Sequence, residues 1–224
     1  MKNKNNESSY LNRNFILLTQ GNFVSAIGTV LYGIAIGFWI MSKTNSATLT
    51  SIASATVVIP GLFFGPIAGV IIDRIDKKVV LVWTDMIAGV TILFVTILAF
   101  IGRLQIWQAM IAGLIVGITE VFAIPAARAA LPALVPAESL SKANAAYSAA
   151  FTTSSVTGRS LGGILYQIIG GPYLFLLNGI SYIYCAISEM FVCNMPVNKT
   201  NKKSKSMKND FIEGAKLLNS IDGL

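Results

Sequence analysis

Long apolar runs alternate with short polar islands along this chain, and the runs have the length of helices that cross a bilayer. They cover residues 15–41, 49–72, 79–101, 106–124, 143–169 and 173–195. Each reaches the roughly 20 residues that a helix needs to span about 30 Å of hydrocarbon. The pattern predicts six transmembrane helices and an all-α polytopic membrane protein. The fifth run is the most polar: residues 144–158 are rich in Ala, Ser and Thr, which fits a helix buried in a bundle better than one facing lipid. Residues 1–14 read as a polar, disordered tail and residues 196–224 as a basic linker. The first run is far longer than the apolar region of a signal peptide and lacks a small-residue cleavage site, so it reads as a retained span.

Composition agrees with hydrocarbon as the solvent. Only 12% of the 224 residues are charged, and the mean hydropathy is +0.67, whereas a soluble chain carries about 25% charged residues. The net charge of +7 has a positional meaning. Lys2, Lys4 and Arg13 precede the first run, Arg74, Lys77 and Lys78 follow the second, Arg128 and Lys142 follow the fourth, and six lysines from Lys199 to Lys216 follow the last. The opposite side holds only Lys43 and Arg103. Basic residues collect on the cytoplasmic side, so both termini are expected there, in a multi-pass protein of the cell membrane. No basic helix or aromatic-basic surface points to nucleic acid. Cys185 and Cys193 read as small apolar side chains rather than metal ligands. The chain has no histidine, and no nucleophile–base or metal constellation can be assembled around the runs, so neither an enzyme nor a metal site is expected. A phosphate-cradling glycine loop is also missing, which argues against ATP-driven work by this chain.

Small residues recur at four-residue spacing. The first run has Gly21, Ser25, Thr29, Gly33 and Gly37; the second has Gly61, Gly65 and Gly69; the fifth has Ala146, Ala150, Ser154, Gly158 and Gly162, with Gly163 beside it. Such stripes let helix backbones approach closely in lipid, and they predict a tight bundle. Pro60 and Pro66 lie inside the second run and would bend it.

The strongest local motif is Gly69, three residues, Asp73-Arg74, one residue, then Asp76-Lys77-Lys78, at the end of the second run. Asp73 is placed to cap the next helix, and the basic cluster to anchor the turn at an anionic leaflet. The motif resembles the signature between the second and third helices of the major facilitator superfamily, with Asp76 where many members have glycine. Residues 21–28, 124–136 and 140–144 are similar to further segments of its drug, macrolide and siderophore exporter branch, and the resemblance runs in order over 15–195. It implies the N-terminal six-helix half of a transporter that works by alternating access. Gly69, Asp73, Arg74, Asp76, Lys77 and Lys78 would then form a conformational latch, with Arg128 a candidate partner for Asp73. The implied activity is export of a small hydrophobic or amphipathic substrate, macrolide-like among others, driven by the proton gradient with no bound cofactor. Two departures stand out: Arg159 occupies the proline position of the fifth-helix antiporter signature around Gly158, Gly162 and Gly163, and the sequence covers one half only. Residues 211–218 resemble the start of the connection to the second half. A half-transporter needing a second half or a second copy, or a non-transporting fragment, is therefore the competing reading.

Four charges fall within predicted spans: Asp85, Glu120, Arg159 and Glu189. An intramembrane charge is costly unless paired or hydrated and is a functional candidate by default. Asp85 is expected about two turns from the cytoplasmic end, where it could act in coupling or contact the turn network. Glu120, one turn before Pro125, is either a cavity-facing proton carboxylate or close enough to the cytoplasmic end to stay wet. Glu189 is expected at the membrane interface. Arg159 would pair with Glu120 or line a water-filled cavity.

Overall fold

A computed structural model describes residues 11–193 of the chain. Most of the 1–14 tail and all of the 196–224 linker, including the 211–218 segment, lie outside the described residues. Six long helices follow one another: α1 (Arg13–Thr44), α2 (Ala47–Ile72), α3 (Lys77–Phe100), α4 (Ile106–Leu134), α5 (Leu140–Ile169) and α6 (Gly171–Met190). Each coincides with one apolar run. The main difference is α4, expected to end near residue 124 but continuing to Leu134 with Pro125 and Pro132 inside it. Proline removes one backbone donor, yet a membrane helix tolerates it where neighbouring groups satisfy what it frees.

The helix ends have local causes. Asn12 caps α1, its side-chain oxygen accepting from the Phe15 amide at 2.9 Å, and Ser46 caps α2 through the Leu49 amide. Gln105 and Gln108 form a reciprocal capping box at the start of α4. The α5–α6 turn passes through Gly170 at φ +81°, a conformation that a side chain would strain. Asn12 also donates to the Leu134 carbonyl, and Asn14 exchanges two hydrogen bonds with the Cys193 backbone at 2.9 and 3.1 Å. These contacts gather the start of α1 and the ends of α4 and α6 at one end of the bundle, hereafter the basic end, which also carries Arg74, Lys77, Lys78, Arg128 and Lys142.

α6 sits between α3 and α1, its two most extensive partners; α4 packs on α2 and α3, and α5 on α1. The neighbours therefore run α2–α4–α3–α6–α1–α5. Exchanging α1 with α4, α2 with α5 and α3 with α6 maps this order onto itself. Because successive helices alternate in direction, the two three-helix units are inverted relative to each other, an internal repeat of the kind found in secondary transporters.

α1 to α4 are long and apolar enough to cross a membrane; α5 and α6 are long enough but too polar to qualify by composition. The six-span expectation is narrowed to that extent. The causes differ. α6 is enclosed by α1 and α3 and needs less apolar surface. α5 has only Ala143, Ser154, Gly158 and Gly162 fully buried and leaves Asn144, Ser148, Thr152 and Arg159 exposed.

Candidate functional site

Two apolar clusters divide the bundle along its length. One, toward the basic end, holds Phe15, Leu18, Ile72, Leu81, Leu131 and Val192 among others. The second holds Leu31, Tyr32, Ile92, Val116, Leu174 and Phe175 among others. Between them lies a polar stretch: Asn22, Ser25 and Thr29 on α1, Asp85 on α3, Thr119 and Glu120 on α4, and Ser181, Cys185 and Glu189 on α6. Buried polar groups require partners, since an unsatisfied one costs about 1–3 kcal/mol. This belt is where the bundle could carry chemistry.

Glu120 is the centre of the first group. It lies 14 residues from Ile106 (120 − 106) and 14 from Leu134 (134 − 120), the midpoint of α4. At 1.5 Å per residue the basic end of the helix is about 21 Å away. The expectation of a carboxylate kept wet near the cytoplasmic end had α4 stopping near Pro125; the helix instead runs on to Leu134. The Tyr182 hydroxyl of α6 donates to Glu120 Oε1 at 3.3 Å, and Thr29 of α1 lies 2.9 Å from the Tyr182 oxygen. Thr29 shares its one proton between Tyr182 and the Ser25 carbonyl at 3.0 Å. A single carboxyl thus connects three helices through hydroxyl groups able to reorient when it gains or loses a proton.

The second group lies one to two turns nearer the basic end. Asp85, Cys185 and Glu189 bring ligand-type atoms within 4.8 Å of one another, and all three are buried. Glu189, in the last turn of α6, is 0% exposed and enclosed by protein. Its Oε1 accepts from Asn22 at 3.2 Å and lies 3.7 Å from the Cys185 sulfur. The Tyr147 hydroxyl of α5 in turn donates to Asn22 Oδ1 at 3.2 Å.

Arg159 is exposed on α5 and forms no ion pair with Glu120 among the described residues. The anticipated pair is not made: the partner of Glu120 is Tyr182. Arg128 falls inside α4 and is exposed, and no Asp73–Arg128 ion pair occurs among the described residues.

In the turn between α2 and α3, it is Asp76 rather than Asp73 that caps α3, accepting from the Lys78 amide at 2.9 Å. Asp73 ends α2, its amide bonded to the Gly69 carbonyl at 3.2 Å. Lys77 is buried, with its amine 3.5 Å from the Ile72 carbonyl, so it neutralises the last turn of α2. Asp73 and Arg74 face outward.

The glycines divide in the same way. A Cβ on Gly158 would lie 2.8 Å from Val30 Cβ, and one on Gly162 would strike Ile34, so both seat α1 against α5. Around Gly65, Gly69 and Gly163 a Cβ would meet nothing within 4 Å, and at Gly61 only Val121 at 3.9 Å. Close contacts that the four-residue stripes did not single out occur at Gly113 and Gly117, which receive Thr56 and Val57 of α2, and at Gly89 and Gly179 between α3 and α6. Tyr182, Thr29 and Asn22 were also not singled out as site residues. The available signal was the 4-3-4 spacing of Asn178, Tyr182, Cys185 and Glu189 along one face of the sixth helix.

Residues 18–221 match the Major Facilitator Superfamily. The chain is 31% identical over 215 residues to macrolide efflux protein A of Streptococcus pyogenes, covering 94% of this chain and 52% of that protein. It is 30% identical over 171 residues to macrolide efflux protein A of Enterococcus faecalis, covering 74% and 52%. To the putative bacilysin exporter BacE of Bacillus subtilis it is 30% identical over 160 residues, covering 69% and 38%. The chain spans about half the length of the macrolide efflux proteins it matches. No solved structure matches it. The chain belongs to the Major Facilitator Superfamily, a class of membrane transporters and not of enzymes.

Proposed function

We propose that this chain supplies the N-terminal half of a secondary exporter of hydrophobic or amphipathic small molecules, macrolide-like compounds among them, with proton uptake and release at Glu120 coupling transport to the proton gradient. All six helices cross the membrane in this reading, with both termini cytoplasmic. The position of Glu120 carries the proposal. A carboxyl at mid-helix, far from either end, is expensive to keep charged and inexpensive to protonate, and its Tyr182–Thr29 chain links that event to α6 and α1. Asp73 and Arg74, outward on the short α2–α3 turn, serve as the latch that opens and closes once per cycle. Similarity to the macrolide efflux proteins supports the substrate class.

The open glycine face of α2 and the polar face of α5 with Arg159 are the surfaces on which a second six-helix half, or a second copy, would seat to close the cavity. The competing reading is a fragment without transport. Both are tested by accumulation of a labelled macrolide in susceptible cells expressing the chain alone or together with a second six-helix half of the same family. Lower accumulation, reversed by a protonophore, is the expected result. Unchanged accumulation under both conditions would sink the exporter reading.

A further inference from the structure

We infer that Asp85, Cys185 and Glu189 form a binding site for a thiophilic divalent cation of the zinc class, clamping α3 to α6 beside the coupling carboxylate. Three observations converge on it. The three side chains place ligand-type atoms of two helices within 4.8 Å of one another in the buried interior. Cys185 and Glu189 stand four residues apart on α6, so one helix face presents both, the same device by which helices offer paired ligands elsewhere.

The second observation is independent of the clustering. Glu189 is 0% exposed, and while Oε1 is held by Asn22, Oε2 is buried with no hydrogen-bond partner. A fully buried carboxylate oxygen without a donor needs either a proton or a cation. No lysine or arginine among the described residues pairs with either carboxylate.

The third is the support around the ligands. Asn22 fixes the Glu189 carboxylate, and Tyr147 fixes Asn22. Metal-binding carboxylates are typically oriented by such an outer layer. The sulfur decides the class of ion: two carboxylates alone would suit a hard cation, whereas a thiolate among them selects zinc-like metals over magnesium or calcium. The divalent ion offsets two of the three negative charges of the carboxylates and the Cys185 thiolate, whose proton goes to solvent, leaving a net charge of −1. The site sits in the last turns of α6, within reach of the basic end, and its binding function does not depend on the transport reading.

The test uses the purified full chain in detergent, stripped with a chelator, in a Cys193→Ser background because Cys193 is a free, exposed thiol. Co2+ is the probe, since a thiolate bound to it gives a near-ultraviolet charge-transfer band. The expected result is saturation at one Co2+ per chain with that band, displacement by Zn2+, and a higher unfolding temperature with Zn2+ bound. Cys185→Ser should abolish the band, and Asn22→Ala should weaken binding about 10–100-fold as an outer-layer change does. The parent chain itself provides the primary readout, so a variant that fails to fold leaves the outcome decided. Absence of saturable Co2+ binding overturns the inference. So does a protonated-carboxyl infrared band, lost in Glu189→Gln, in a chain that takes up no Co2+, because a proton would then be the cation the site holds.

Discussion

At the scale of single residues, the belt between the two apolar clusters holds two kinds of acid. Glu120 has one hydroxyl donor and lies at the midpoint of α4; Glu189 is enclosed and held by an amide. Glu120→Gln should therefore abolish protonophore-sensitive efflux while leaving the amount of folded protein in the membrane unchanged or raised, since it removes a costly charge. Efflux and membrane yield measured together check this, and normal efflux in that variant would remove Glu120 from coupling. Tyr182→Phe deletes one hydrogen bond to the carboxyl, worth about 1.5–3 kcal/mol when the carboxyl is charged. It should reduce efflux roughly tenfold or more, measured as macrolide accumulation at equal membrane yield. Asp76 and Asp73 separate by a different readout. Asp76→Ala removes the cap of α3 and should cost about 1 kcal/mol of stability, visible as a lower unfolding temperature in detergent. Asp73→Ala should leave that temperature in place and slow transport. The two aspartates are three positions apart, and sequence spacing alone favoured the wrong one as cap; the deciding fact is that Lys77 begins α3 and Asp76 immediately precedes it.

At the scale of helices, the six elements were legible because lipid demands long apolar runs with every backbone group satisfied internally. The end of α4 was not, because proline stops helices in water more reliably than in a bundle. That one extension moved Glu120 from near an end to the midpoint. Which glycines make contacts was equally illegible: α2 and α5 carry the same four-residue spacing, yet only Gly158 and Gly162 seat a neighbour tightly, because spacing defines a face and not what lies opposite it. The contrast is measurable. Gly117→Ala would drive a methyl into the Val57 carbonyl of α2, and relief by backbone shift should cost about 1–3 kcal/mol, the usual penalty of overpacking. Gly65→Ala meets open space and should stay within about 0.5 kcal/mol in the isolated chain. Thermal unfolding of both variants checks this, and equal losses would mean that the α2–α4 contact is misplaced. If Gly65→Ala nonetheless impairs efflux when a second half is supplied, the open face of α2 is where that half docks.

At the scale of the whole molecule, the inverted repeat and the charge distribution make one statement about orientation. Exchange of the two three-helix units turns the bundle upside down, so the helices alone give no preferred direction across the membrane. The charges do. Arg13, Arg74, Lys77, Lys78, Arg128 and Lys142 collect at one end, and Lys43 and Arg103 lie at the other; positive residues resist translocation, so the proposed orientation has the first group in the cytoplasm. The chain carries its own reporter for this, since Cys193 is exposed just beyond α6 at the basic end while Cys185 is buried. A membrane-impermeant maleimide should leave intact cells unlabelled and label Cys193 in inverted vesicles. In a Cys193→Ser background, Lys43→Cys or Arg103→Cys should show the reverse. Because α5 and α6 fall short of a spanning composition by themselves, a further reporter at their turn is needed: Tyr173→Cys, exposed at the start of α6, should be labelled from outside in a Cys193→Ser background if both cross and stay unlabelled if neither does. If Cys193 is labelled from outside while Lys43→Cys is also reached from outside, an odd number of the six helices crosses, and the charge rule has been overridden by the polar face of α5.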